Sequence, residues 1–160
     1  IGAVIGHELT HAFDNTGAKF NKEGMLENWW TPKDYEEFIN RSQKVINYYS
    51  NIEVDEGKYV NGFLTVGENI SDLGGVACVL DIAKKCDDSN LKELFENYAT
   101  IWREISTKEL KDFLLKNDPH SPKKVRVNGV LSQFEEFYET YDVKKGDKMY
   151  INPEDRLIIW

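Results

Sequence analysis

The segment His7-Glu8-Leu9-Thr10-His11 sets two imidazoles four residues apart with a carboxylate beside the first. On a helix, such positions stand one turn apart on one face, so both rings can reach a single metal ion. Glu8 lies about 100° further round and can face a water without binding the ion. Zinc in a catalytic centre normally takes three protein ligands and leaves the fourth position for water, so a third ligand is required. Glu68-Asn69-Ile70-Ser71-Asp72 supplies two carboxylates four apart in a second helical stretch. One can bind the ion while the other supports a ligand. Asp72 is the expected acceptor for His7, and Asp14, three residues after His11, for His11.

Blander readings compete with each motif. H-E-x-x-H arises by chance in on the order of one chain in several hundred and also describes an ordinary polar helix face. Glu68 and Asp72 alone would be acidic residues at a helix start, where the dipole favours them. The third histidine, His120, sits in Asp118-Pro119-His120-Ser121-Pro122, with Arg126 six residues on. The prolines stiffen the backbone, which suits a positioned donor. A loop histidine beside proline is nonetheless ordinarily just an exposed residue, and Arg126 a surface charge.

The elements that must hold these residues can be read from periodicity and stop signals. Val4, Ile5, Leu9, Ala12 and Phe13 predict a helix over 1–15, ended by Gly17. Thr31-Pro32, with Asp34 in the opening turn, predicts a capped helix over 32–50. Asn61-Gly62 predicts a turn between short β-prone runs in 51–66. Ile70, Leu73, Val76, Ala77 and Leu80 predict a helix over 67–85. Further helices are predicted over 90–105, over 107–117 up to Asp118-Pro119, and over 133–141, the last with Ser132 and Glu135 as a capping box. The aperiodic tail ends in Leu157-Ile158-Ile159-Trp160, too apolar to stay in water, and is expected to dock. The expected fold class is therefore mainly α with little β.

The composition excludes several partners. The 160 residues are 41% hydrophobic and 30% charged, within the range of one soluble globular domain. A net charge of -8 opposes nucleic acid and anionic membranes. No apolar run approaches the roughly 20 residues of a membrane span, so no membrane contact by this segment is expected. Cys78 and Cys86, about 12 Å apart along one helix, cannot bridge within it. The chain opens as helix already under way, without a capping residue, which reads as a fragment.

Taken in order, Val4-Ile5-Gly6-His7-Glu8-Leu9-Thr10-His11-Ala12-Phe13-Asp14, Asn61-Gly62, Gly67 through Asp72, and Asp118 through Pro122 with Arg126 resemble the neprilysin and endothelin-converting enzyme family. Asn28-Trp29-Trp30, Asn152-Pro153-Glu154 and Trp160 look like it too. The resemblance implies a thermolysin-like zincin catalytic portion, with an active-site helix and a second ligand-bearing helix. It implies one Zn2+ held by His7, His11 and Glu68, Glu8 as general base, and Asp72 behind a ligand, with Asp14 matching the family's second aspartate. It implies His120 as oxyanion donor, Arg126 as the group that binds a substrate carbonyl, and Val4 and Trp102 as pocket walls. Arg103, Tyr141 and Leu157 stand where animal members resemble cysteine positions, so a bacterial oligopeptidase type fits better. Residues 1–160 would then be the C-terminal part of a longer catalytic domain, lacking its N-terminal portion, its lid and its peptide-holding strand.

The function expected is a zinc-dependent endopeptidase acting on peptides, with a water activated by the metal and Glu8 taking its proton. The alternative is a folded, zinc-binding but inactive fragment that needs the N-terminal portion of the same enzyme. A metal-free interaction module is the third reading, against which Glu8, His120 and Arg126 stand. Missing disulfides lean weakly toward a cytoplasmic location, although secreted or surface-anchored relatives leave the compartment open.

Overall fold

A computed structural model describes all 160 residues. Seven helices are present: α1 (Gly2–Thr10), α2 (Pro32–Ser50), α3 (Val66–Ala83), α4 (Leu91–Ile101), α5 (Lys108–Asn117), α6 (Lys123–Leu131) and α7 (Glu135–Tyr141). The only sheet pairs β1 (Glu53–Asp55) with β2 (Lys58–Tyr59), antiparallel.

Helix α3 is the axis of the molecule. Every residue from Asn69 to Val76 is buried, so this helix is covered on all sides rather than along one stripe. Val66, Ile70, Leu73, Val76 and Leu80 join one core with Phe38, Val45 and Tyr49 of α2, Phe95 and Tyr98 of α4, Val125 and Val130 of α6, and Phe137 and Tyr138 of α7. Helix α1 lies against α3 with backbones almost touching. A Cβ on Gly6 would stand 2.9 Å from Gly75 Cα, and one on Gly75 would stand 2.7 Å from the His7 nitrogen. Glycine at both positions is what allows the two ligand-bearing helices to close on each other.

The first helix is shorter than its periodicity predicts. It gives way after Thr10 to a 3-10 turn over His11–Phe13, and Asp14 accepts from the Thr16 and Gly17 backbone nitrogens at 2.7 Å each. Helix α2 starts as expected, with Thr31 accepting from the Asp34 nitrogen. The other expected helices are trimmed by a few residues at their ends.

Two local expectations are not met as stated. The turn at Asn61-Gly62 forms, over residues 62–65, but it does not join strands: the hairpin reverses at Gly57, whose φ of 69° is left-handed. Asn61 instead starts α3's approach, its carbonyl accepting from the Thr65 nitrogen and its side chain from the Leu64 nitrogen. The Ser132–Glu135 capping box does not form: α7 begins after Phe134 with no side-chain cap, and Ser132 Oγ is turned inward to the Gly129 carbonyl and Tyr48. Burial of that hydroxyl outweighs the cap. Helix α6 is not among the helices that periodicity predicts, because Pro119 and Pro122 dominate its approach. Pro122 is in fact its N-cap, where a missing N–H costs nothing.

The tail docks. Ile159 is buried, and Trp160 stacks on Phe38 and meets Phe13 edge-on, at 5.4 and 6.0 Å between ring centres. Cys78 and Cys86 are both exposed and unbridged, and no helix is long and apolar enough to cross a membrane.

Candidate metal centre

His7 sits on the buried face of α1 and His11 at its C-terminal cap, one turn on, with their Nε2 atoms 3.0 Å apart. Glu68, in the first turn of α3, brings Oε2 to 3.2 Å from His7 Nε2 and 3.7 Å from His11 Nε2. The ligating atoms of His7, His11 and Glu68 all lie within 4.8 Å of one another. Two imidazole nitrogens facing each other and a carboxylate oxygen that is buried without a hydrogen bond form a poor network among themselves. They form a suitable one around a cation, and two nitrogens with one oxygen is a donor set that zinc accepts. The residues present therefore fit the ion that the spacing suggests.

Each imidazole is held from behind. His7 Nδ1 donates to Asp72 Oδ1 at 2.8 Å, and His11 Nδ1 donates to Asp14 Oδ2 at 2.7 Å, with Ser71 Oγ at 3.0 Å. Bonds at Nδ1 select the tautomer whose Nε2 lone pair points into the centre. Asp72 also receives Arg126 through two bonds, Nε to Oδ2 at 2.7 Å and a terminal nitrogen to Oδ1 at 2.6 Å. Both side chains of that pair are at most 4% exposed, and the guanidinium lies 3.7 Å from the Trp102 ring centre. Arg126 is thus a buried residue of α6 rather than a surface charge, and it lines the recess beside His7.

The charges of the centre act strongly on one another. Burial lowers the His7 imidazole, but its hydrogen bond to Asp72 and the nearby Glu68 carboxylate outweigh burial and raise it from 6.5 to about 9. Burial pushes the Glu68 carboxyl up, yet the contact with His7 and the charge of the neighbouring His120 and His11 imidazoles bring it below its ordinary value. Glu68 is therefore an anion when a cation arrives.

His120 approaches from the loop between α5 and α6. Its Nε2 stands 3.1 Å from Glu68 Oε2, while Nδ1 donates to Asp118 Oδ1 at 2.7 Å. Asp118 Oδ1 also accepts from the His120 backbone nitrogen at 2.9 Å, which closes an Asx turn. A buried relay ties this loop to α3: Ser121 Oγ donates to Asn69 Oδ1 at 2.7 Å, and Asn69 Nδ2 to Thr65 Oγ1 at 2.9 Å. The residues on either side of the relay are Glu68 and His120. Val4, Glu8, Trp102, His120 and Arg126 line one recess of about 100 Å³ next to His7, with Glu8 and Val4 exposed on it.

All ten residues singled out from the sequence converge on this one place, from four separate stretches of chain. Four participants were not foreseen: Asp118, Ser71, Asn69 and Ser121. The Asp-x-His spacing at 118–120 is the signal that would have found Asp118, because an aspartate two residues before a turn position accepts that residue's N–H. The other three carry no such signal, since serine and asparagine, whether on a helix as Asn69 and Ser71 or in a loop as Ser121, ordinarily face water.

A mainly α, thermolysin-like zincin catalytic arrangement is what this fold and site define. The sequence profile of peptidase family M13 matches residues 1–157, and the chain belongs to that family. It is 48% identical over 160 residues to the neutral endopeptidase of Lactococcus lactis subsp. lactis and 37% identical over 175 residues to neprilysin of Homo sapiens, in each case along all of this chain. It spans about a quarter of the length of these curated relatives, 25% and 23%. The crystal structure of PEPO from Lactobacillus rhamnosis HN001 superposes on 99% of the chain, and on 25% of its own length, with TM-score 0.90 and 38% identity. The zinc metalloprotease ZMP1 of Mycobacterium tuberculosis, in complex with inhibitor, superposes on 99% of the chain and 26% of its own length, with TM-score 0.89 and 36% identity.

Proposed function

We propose that the chain carries the catalytic centre of a zinc-dependent endopeptidase or oligopeptidase, and that residues 1–160 are the C-terminal part of its catalytic domain. The observation that carries this is the convergence of His7, His11 and Glu68 within 4.8 Å, each imidazole braced by a carboxylate. His7, His11 and Glu68 would hold the ion. When bound, zinc supplies Lewis acidity that acidifies a water and polarises a carbonyl.

The chain's own groups do the rest. Glu8 takes the proton of the attacking water and later delivers it to the departing amine. His120, its ring oriented by Asp118, donates to the carbonyl oxygen as charge builds there. Arg126, with two of its nitrogens committed to Asp72, offers the remaining one to a substrate backbone carbonyl, while Val4 and Trp102 wall the side-chain pocket. Zinc content of the purified protein, followed by cleavage of an internally quenched peptide with and without chelator, tests this reading. A protein that binds no zinc at micromolar concentrations would end it.

A second reading is favoured by the open face of α1, where Ile1, Ile5 and Leu9 are 93%, 55% and 68% exposed. In it, the isolated chain folds and binds zinc but turns over no peptide until the N-terminal portion of the enzyme covers that face. Full zinc occupancy without cleavage would select it.

A further inference from the structure

A second, larger groove opens beside the recess and shares His120 and Trp102 with it. Its volume is about 1120 Å³. This exceeds the roughly 300–1000 Å³ of small-molecule sites and leaves room for several peptide residues. The β1–β2 hairpin, α5, the start of α6 and the segment around Met149 enclose it, and Tyr48, Leu115 and Val127 contribute apolar surface.

Charge on this wall runs against the charge of the chain. Seven lysines and arginines and five aspartates and glutamates line the groove, a formal +2. The whole chain carries -8, so the rest of the molecule stands at -10. Three of the five acids are already engaged: Asp112 and Asp55 hold Lys58 at 2.5 and 3.4 Å, and Asp118 holds His120. Arg103, Lys108, Lys111, Lys123, Lys124 and Lys148 have no salt-bridge partner. Lys123 and Lys124 also occupy the first turn of α6, which contains no acid, although the helix dipole disfavours cations there. Six unmatched cations along one groove of an acidic protein raise the local concentration of anions.

We infer that this groove is a substrate-binding extension of the centre that receives acidic residues of the peptide, several positions from the bond cleaved on one side of it. The inference rests on the peptidase reading and adds a substrate class to it. Carboxylates of the peptide meet the lysines, while the peptide's apolar side chains lie on Leu115 and Val127. The catalytic recess at the groove's end receives the scissile segment.

The test uses the zinc-loaded enzyme and quenched peptides that share one cleaved segment and carry runs of Glu, Gln or Lys on one flank or the other. With acid on the correct flank, kcat/KM should exceed that of the Lys peptide by about tenfold or more, mainly through KM, and about 0.5 M salt should collapse the ratio. The Lys111→Glu, Lys123→Glu, Lys124→Glu protein should lose or reverse it. Because the ratio is internal to each preparation, a partly folded variant does not imitate the result. Anisotropy of a labelled Glu-rich peptide on zinc-free protein gives a second reading that needs no turnover, and the Lys-rich peptide should bind at least about tenfold more weakly. Equal cleavage and equal binding of the Glu and Lys peptides would overturn the inference and leave the peptidase reading standing. Binding of the Glu-rich peptide with no peptide cleaved would do the reverse.

Discussion

Glu8 and His120 are asked for different things, and substitutions should separate them. Glu8 touches none of the ligand atoms, so Glu8→Gln is expected to retain one zinc per chain by elemental analysis while peptide turnover drops by a factor of about 100–10,000. His120→Ala is expected to lower kcat by about 100- to 1000-fold with little change in KM. Asp118→Asn, which leaves the ring but loosens its aim, should produce a smaller loss of about 10- to 100-fold in the same assay. Arg126 has a structural role beside its substrate role, because removing it strands the buried Asp72 carboxylate. Arg126→Met is expected to lower stability by about 3–5 kcal/mol in urea unfolding, and Asp72→Asn in the same chain should recover part of it. Full stability in Arg126→Met would mean that Asp72 is not held as the geometry indicates.

At the level of elements, the centre depends on how closely α1 meets α3. Gly75→Ala would set a Cβ 2.5 Å from the Ala3 carbonyl oxygen and 2.7 Å from the His7 nitrogen. The helices must separate to admit it, at about 1–3 kcal/mol. That shift moves His7 away from Glu68, so zinc affinity, measured by competition with a chromophoric chelator, should weaken along with stability. A stable Gly75→Ala protein with unaltered zinc affinity would contradict this account of the interface. The helix carrying Arg126 shows the opposite kind of dependence. Its first turn has no acid and no side-chain cap, and it is held instead by Val125, Val130 and Leu131 in the core. Local signals were silent there because packing, rather than capping, stabilises the helix.

For the molecule as a whole, α1 and α3 are joined by packing and by the centre itself. The raised His7 imidazole gives the pH dependence of the metal-free protein. A folded value of about 9 against 6.5 unfolded means that the protonated ring stabilises the fold fully below pH 6.5, and that this contribution disappears as pH rises through 9. Metal-free protein should therefore be more resistant to urea at pH 6 than at pH 9. Zinc takes the proton's place, so loading at pH 7 should release protons and raise the melting temperature, and the advantage at pH 6 should vanish. Identical urea midpoints for the metal-free protein at both pH values would contradict the His7–Asp72–Glu68 coupling.

Residue types and spacing alone determined the local chemistry of this protein: a pair of imidazoles at i and i+4, a carboxylate pair at i and i+4, and the helices that carry both. Those are short-range facts, set by the 3.6-residue turn and by capping. Tertiary structure alone decided that two nitrogens of Arg126 are committed to Asp72, and that Ser121 and Asn69 lock the histidine loop to α3. It also decided that six unpaired cations of an acidic chain share one groove. Each of these joins residues that only the folded packing of α3, α5 and α6 brings within hydrogen-bond or electrostatic reach, and no periodicity along a single element records such a meeting.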